Sequence, residues 1–336
     1  MENLRTSSNG YRADFELRNV PVSFINGLRR ILLSEIPVVV LSNIQILENT
    51  TSMTHEMIQH RVSMLPVNVR ADEVAVIRDT QLELRTAAET EAREVTPGEN
   101  IVNSTPFREV TTDDFAAVGP RGDILLKDRE LGTPLLFMHL KPGEAIHIKA
   151  TLSIAISESQ VCVSTFKNHI DPDVAKIDRD TFVAQAGDDP IAQREAVQMF
   201  DNFHIQRSFH RDAKGRPDWF DFTVESIGVY TASDLIKKAI EVYQEKINEF
   251  IKLPVLREEN GWYRMEIASE TYTLGALVQE IMYQSQLAEH VAYDIGHPLT
   301  PNLVVRFYTD TSTPEAVVDY FHKQASSLCE NVLKSV

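Results

Sequence analysis

The chain has 336 residues, 43% of them hydrophobic, and carries a net charge of −16 from 49 acidic and 33 basic side chains. That length suggests about two domains, and the longest apolar runs, such as Val38 to Leu41, are far too short to cross a bilayer. So acidic a chain repels phosphate unless its bases cluster, and the only tight basic pairs are Arg29-Arg30 and Lys237-Lys238, which argues against direct nucleic-acid binding.

The opening MENLRTSSNG has no apolar core of a secretory signal. Two distant cysteines, Cys162 and Cys329, make no disulfide framework and no thiolate zinc site, and they suit a reducing compartment. YRADFELRNV alternates through Phe15 and Leu17 and reads as a strand. The next stretch, VPVSFINGLRRILLSEIPVVV, predicts a helix capped by Ser23 and ended by Pro37. At about 100° per residue, Phe24, Ile25, Leu28, Ile31, Leu32 and Ile36 share one arc, with Asn26, Arg30 and Ser34 opposite and Arg29 at the edge. VVVLSNIQILEN follows as a β-branched strand. Residues 50–70 predict a short helix ending at Met64-Leu65-Pro66.

From 71 to 150, short strand patterns broken by TPGEN, VGPRGD, LGTP and KPGE read as a small β-rich module. LKPGEAIHIKATLSIAIS predicts a hairpin turning at Lys141 to Glu144, with room for one more strand. Residues 167–215 read as polar and irregular. A strand at Phe220 to Ile227 leads to a long helix from about Ala232 to Ile251, capped by Thr231 or Ser233. Its Ile236, Ile240, Tyr243, Ile247 and Phe250 recur at 4-3-4-3 spacing, a seam for helix–helix packing. The last stretch repeats the opening plan: strand (WYRMEIASE), helix (TYTLGALVQEIMYQSQ), strand (NLVVRFYTD), then a helix opened by Ser312-Thr313-Pro314. The seam of that helix is Val318, Phe321, Ala325, Leu328 and Val332.

Two copies of one plan imply an α+β internal pseudo-dimer with a self-complementary interface. Aligned on their leucines, the two shorter helices place Leu28 on Leu277 and Leu32 on Ile281, so that Arg29 and Arg30 fall on Val278 and Gln279. The apolar positions recur and the cations do not. Packing therefore does not require the arginines, and Arg30 is expected either to meet carboxylates or carbonyls outside the pseudo-dimer or to stand in water.

The stretch from Phe15 to Val67, FELRNVPVSFINGLRRILLSEIPVVVLSNIQILENTTSMTHEMIQHRVSMLPV, closely resembles the alpha-subunit family of multisubunit DNA-directed RNA polymerases, and most of all the third-largest subunit of polymerase II. FTVESIGVYTASDLIKKAIEVYQEKI resembles that family's return to its dimerisation domain. TYTLGALVQEIM and VAYDIGHPLTPNLVVRFYTDTSTPEAVVDYF resemble its small partner, the eleventh subunit. The likeness is weak over 71–215. In cellular enzymes the partners are separate chains; here they are joined, as in polymerases of some large eukaryotic DNA viruses.

The resemblance implies a first dimerisation domain at 10–45 and 218–255, a β-rich insert at 46–217 and a second dimerisation domain at 260–336. It implies a non-catalytic assembly role, in which the chain docks the second-largest and then the largest catalytic subunit alongside small platform subunits. Asn26, Arg29 and Arg30 would contact the second-largest subunit, since a planar guanidinium pairs with carboxylates and carbonyls in fixed geometry. The intramolecular interface would comprise Phe24, Leu28, Ile31, Leu32, Leu274, Leu277, Ile281, Ile240, Ile247, Phe321 and Leu328. No cofactor is expected on this chain, the polymerase magnesium lying in the largest subunit, and neither specific DNA contact nor membrane attachment is expected. The location is virion and host cytoplasm if the chain is viral, otherwise nuclear, and not secreted. Many third-subunit relatives bind metal through an insert cysteine cluster. With Cys162 alone between 71 and 215, a Cys-ligated site cannot form there.

Other residues read as structural. His204 and His210, with Asp201 and Asp212, match no ligand spacing, and DPDVAKIDRD lacks the glycine and closing glutamate of a calcium loop. His55 and His60 are five apart, not the four of a zincin helix. A free-standing scaffold or regulatory protein on the same fold is the alternative function, and a metallohydrolase using His55 and His60 a remote third.

Overall fold

A computed structural model of the chain describes residues 2–87, 107–156, 162–187, 189–258, 261–268, 270–297 and 299–334. The chain divides into two compact units: Met1–Leu32 with Ser164–Glu225 and Ala232–Val336, and Leu33–Val163 with Ser226–Thr231. The TPGEN turn at 96–100 lies outside the described residues.

The first unit holds two four-stranded sheets built alike. In one, the order is β1 (Glu2–Ser7), β2 (Arg12–Arg18), β10 (Trp219–Ser226), β9 (Cys162–Asn168). In the other it is β11 (Leu256–Arg257), β12 (Trp262–Ala268), β14 (Thr300–Tyr308), β13 (His290–His297). The central pairs are antiparallel, with Phe15 opposite Phe222 in one and Met265 opposite Val305 in the other. Alternation of apolar and polar residues sends Phe15, Leu17, Phe220 and Phe222 to the core, where the Phe15 and Phe222 rings stack at 5.1 Å. A helix follows the first central strand of each sheet, α1 (Val22–Ser34) and α7 (Tyr272–Gln284). A longer one follows the second, α6 (Ala232–Ile251) and α8 (Pro314–Leu333). The predicted seams are largely realised. Ile236, Ile240, Tyr243, Ile247 and Phe250 are buried on α6, and Phe250 meets Phe321 of α8 edge-on at 5.6 Å. On α8 the buried seat expected for Leu328 is taken by Cys329, and Leu328 is half-buried.

The second unit is β-rich, as predicted. β3 (Val38–Asn49), β8 (Ala145–Ala155), β4 (Gln81–Ala87) and β6 (Phe115–Val118) form one sheet, and β5 (Arg108–Thr111) pairs with β7 (Leu136–Leu140). Ile58 and Val62 of α2 (His55–Ser63) and Leu82, Leu84, Phe137 and Ile148 lie in its core. The short α3 spans Val74–Asp79.

Four expectations are corrected. The insert ends at Val163 rather than near Pro217 and begins at Leu33 rather than Ile46. β3 belongs to the inserted sheet, and the strand of the first copy that matches β13 is β9, displaced along the sequence by the whole insert. Residues 167–215 are not irregular: they include α4 (Pro172–Ala184) and α5 (Pro190–Met199). Each of these starts with an Asp cap and a Pro at the first turn, Asp171 accepting from Val174 N and Asp189 from Ile191 N. Finally, the two strands around Lys141 to Glu144 form no hairpin. β8 is already flanked by β3 and β4, and β7 pairs with β5, so the turn passes the chain between sheets.

Burial pushes the thiols of Cys162 and Cys329 up to about 12. Both should therefore resist alkylation by iodoacetamide at pH 8 in the native chain and react once it is unfolded in guanidinium, as intact-mass spectrometry would read.

Candidate functional site

The apolar arc of α1 buries Phe24, Ile25, Gly27, Leu28, Ile31 and Leu32. Phe24 stacks on Tyr243 of α6 at 5.3 Å, nearly parallel. A Cβ on Gly27 would collide with the Tyr243 hydroxyl, so a glycine is what lets α6 approach α1 this closely. Gly275 of α7 is closed in likewise, by Tyr293 and Leu303. Near the other end of α6, Lys246 pairs with Glu270, which is almost fully buried just ahead of α7, so a first-copy helix is also tied by charge to the second copy.

Among the described residues, hydrogen bonds join α1 to α7 at both ends of the pair. The first turn of any helix leaves N–H groups without a partner. In α1 the Ser23 N–H donates to Glu280 Oε2 at 3.2 Å, and Glu280 Oε1 accepts from Gln284 and lies 3.8 Å from Arg216. At the other end Arg30 Nε donates to Thr273 Oγ1 at 2.8 Å. The helices therefore run antiparallel. Ser23 lies inside the helix rather than capping it: its hydroxyl is buried without a partner, and the cap at this turn is a carboxylate from the opposite copy.

The burial pattern gives the register. Leu274, Gly275, Leu277, Val278, Ile281 and Met282 of α7 repeat the six buried positions of α1 in order, Phe24 on Leu274 through Leu32 on Met282. Leu28 thus matches Val278 rather than Leu277, and Leu32 matches Met282 rather than Ile281. The leucine alignment slipped by one because Leu277 and Val278 are both buried. In the observed register Ser23 corresponds to Thr273 and Arg30 to Glu280. The two bonds link the same pair of positions in both directions, as a self-complementary interface requires, with different chemistry at each end. The expectation that Arg30 meets only groups outside the pseudo-dimer, or water, is corrected: it bonds to Thr273 of α7.

Arg29 bonds within its own helix, Nη2 at 2.9 Å and Nε at 3.3 Å from Asn26 Oδ1. Asn26 and Arg29 are half-buried and Arg30 is exposed, so the three form one polar face on α1. The matching face of α7 carries Ala276, Gln279 and Glu280, and has no cation. The predicted interface residues Phe24, Leu28, Ile31, Leu32, Ile240, Ile247, Leu274, Leu277, Ile281 and Phe321 are all buried. Missed in the sequence were Glu280, Thr273, Glu270 and Lys246, visible only once the register is known.

The other polar groups have separate partners. His210 pairs with Asp218 at 2.7 Å, Asp201 with Arg179, Asp212 with Arg216, and His204 lies against Phe182. DPDVAKIDRD, expected as a loop, is the start of α4. His55 and His60 are exposed on α2. Among the described residues one His/Asp/Glu group has donor atoms close enough for a metal: Glu16, His169 and Asp221, within 4.8 Å of one another. It is already cross-bonded, His169 to Asp221 at 2.6 Å and Glu16 to Asn3 and Trp219.

The duplicated strand–helix plan and the clasped helices define a dimerisation module doubled within one chain. Residues 14–247 and 263–335 each match the model of the RNA polymerase Rpb3/Rpb11 dimerisation domain, and the chain belongs to that family. It is similar to the DNA-directed RNA polymerases II, IV and V subunit 3 of Arabidopsis thaliana, 25% identical over 70% of this chain and 86% of that protein. It is also similar to the polymerases I and III subunit rpac1 of Dictyostelium discoideum, 24% identical over 70% of this chain and 76% of that protein. A conjugation stage-specific protein of Tetrahymena thermophila is 27% identical over 50% of this chain, which spans only 59% of that protein's length. The chain is thus of the non-catalytic, alpha-type class of polymerase subunit. Among the described residues no helix is long and apolar enough to cross a membrane.

Gly27→Ala should destabilise the chain by about 1–3 kcal/mol, the usual cost of overpacking. Tyr243→Phe in the same chain should recover part of that loss by removing the obstructing oxygen, as denaturant unfolding would show.

Proposed function

We propose that this chain is an assembly subunit of a DNA-dependent RNA polymerase, in which the two dimerisation units clasp within one molecule and the Asn26–Arg29–Arg30 face docks the second-largest subunit before the largest joins. The observation that carries this reading is the one-sidedness of the helix pair: two helices of equal length and matching buried positions, of which only α1 carries cations. A pseudo-symmetric platform with one marked side suits a single large asymmetric partner. Small platform subunits would complete the assembly, and the catalytic magnesium would lie in the largest subunit, with neither DNA nor membrane contact by this chain. Joining the units replaces a bimolecular encounter with an intramolecular one at high effective concentration. The same fusion occurs in polymerases of some large eukaryotic DNA viruses, and in that setting the enzyme would work in the host cytoplasm and travel in the particle. The free-standing scaffold reading predicts instead that the native chain purifies without large companions.

Arg29→Glu tests the docking face cleanly, because the hydrogen bonds of Arg29 run to Asn26 on its own helix and leave the α1–α7 bonds intact. The variant should keep its melting temperature and lose at least about tenfold in capture of the purified second-largest subunit, the scale expected for a charge-pair hot spot. Undiminished capture would remove the assignment of this face.

A further inference from the structure

The outer face of the first sheet places two carboxylates where the second sheet places one. Glu16 on β2 and Asp221 on β10 are direct cross-strand partners, and like charges in that arrangement are destabilising. By the register that puts Phe24 on Leu274, Glu16 corresponds to Glu266. Glu266 faces Val304, and its charge is met by Arg264 at 2.6 Å and by the amide of Asn302. In the first copy the position of Arg264 is taken by another acid, Asp14, which pairs with Arg12. Glu16 accepts from two neutral groups, Asn3 Nδ2 at 2.8 Å and Trp219 Nε1 at 3.0 Å. Asp221 has the exposed Lys167 at 3.7 Å, a surface pair of small worth.

Into this pair reaches His169, the first residue after β9. Its Nδ1 lies 2.6 Å from Asp221 Oδ1, and one donor atom from each of Glu16, His169 and Asp221 stands within 4.8 Å of the others. The imidazole is held in place. It stacks on Trp219 at 3.8 Å, nearly parallel, and the His169 N–H donates to the Trp219 carbonyl at 2.9 Å. The Arg18 guanidinium lies 3.5 Å over the same indole. One tryptophan therefore orients the imidazole by stacking and Glu16 by its N–H, as the outer partners of metal ligands do.

We propose that Glu16, His169 and Asp221 form a binding site for a divalent transition-metal ion, Zn²⁺ foremost. Zinc takes imidazole and carboxylate ligands at about 2.0–2.2 Å and accepts three protein ligands with water in the fourth position. Mg²⁺ and Ca²⁺, which take oxygen donors, suit this set poorly. At those bond lengths, ligands on a tetrahedral ion stand about 3.3–3.6 Å apart, so the three donors can close on it by side-chain rotation without moving a strand. Ligation through Nδ1 displaces the hydrogen that now bridges it to Asp221, the proton passing to Nε2 or to water. The ion would offset both facing carboxylates. It would also tie β2 to β10 and the end of β9, three segments that the insert and the α4–α5 excursion separate in sequence. The site uses no cysteine and is independent of the docking reading.

The untagged full chain, treated with EDTA and dialysed, tests this by titration with zinc chloride. In a Trp262→Phe background Trp219 is the one indole left, so quenching by Co²⁺ reports on its surroundings. Zn²⁺ should bind at about one equivalent with a micromolar Kd and raise the melting temperature by about 2–5 °C at a hundredfold excess over Kd. Mg²⁺ at the same concentration should do neither. Co²⁺ should quench Trp219 saturably, and excess Zn²⁺ should reverse the quenching. The isosteric variants Asp221→Asn and Glu16→Gln, and His169→Ala, should each weaken Zn²⁺ binding at least about tenfold. His210→Ala should bind as the wild type does, although His210 meets Trp219 edge-on at 5.7 Å and pairs with Asp218. Zinc retained no better than magnesium, undiminished affinity in the two isosteric variants, or a loss in His210→Ala as large as that in His169→Ala would each overturn the assignment. If one isosteric variant fails to fold, the other decides.

Discussion

The antiparallel pairing of α1 with α7 is the constraint on which the rest of the first unit depends. Neither helix is long, and each exposes a broad apolar stripe that a lone strand–helix unit cannot cover. Hydrogen bonds join the two at both ends, α6 packs against α8, and both stripes are buried. Apolar burial supplies most of the free energy, but it is non-directional, as the ambiguous leucine alignment shows. The two polar bonds at the ends of the pair are what distinguish this register from its neighbours. Each leaves a first-turn group unsatisfied if the helices slide by one residue, and a buried unpaired polar group is expensive.

Once the clasp is fixed, the rest of the chain is free to vary at places that do not disturb it. In the second copy, α7 is followed by β13 after a few residues, and β13 ends at His297 with β14 beginning at Thr300. In the first copy the same two connections have expanded, one into the whole inserted unit, Leu33–Val163, the other into the α4–α5 excursion. Both expansions leave and re-enter at the ends of elements whose pairing is already satisfied, where added length costs only loop-closure entropy that grows slowly. The duplicated architecture is therefore preserved although the two copies differ greatly in length.

Much of this was legible in the sequence, for identifiable reasons. The 3.6-residue and heptad patterns of α1, α6, α7 and α8 are strong because each helix has one wet face, and the strands Arg12–Arg18 and Trp262–Ala268 alternate cleanly for the same reason. The domain boundary was not legible. β3 is as β-branched as a first-unit strand would be, and nothing local tells a strand which sheet it joins. The α4 and α5 helices were missed because their apolar content is low, although both Asp-Pro starts were visible to an inspection for caps rather than for apolar period. The hairpin at Lys141 to Glu144 was predicted from two correct strands and a correct turn, and failed on pairing, which is decided by long-range competition for β8. The polar face of α1 was visible as the Arg29-Arg30 pair, while its relation to Glu280 was not, since a carboxylate on α7 looks ordinary until the register relates it to Arg30.

Symmetry in this molecule is most informative where it breaks. Buried positions agree between the copies because both must fill the same space, so they report the fold and little else. Half-exposed positions on the same two helices are under no such requirement, and there the copies diverge from Asn26, Arg29 and Arg30 to Ala276, Gln279 and Glu280. Where those positions reach the other helix the contacts differ in kind: Glu280 gives the first turn of α1 a carboxylate acceptor, while Arg30 donates to the Thr273 hydroxyl on α7. The shared core therefore holds the two copies alike, and the polar faces of the same two helices are where it leaves them free to differ.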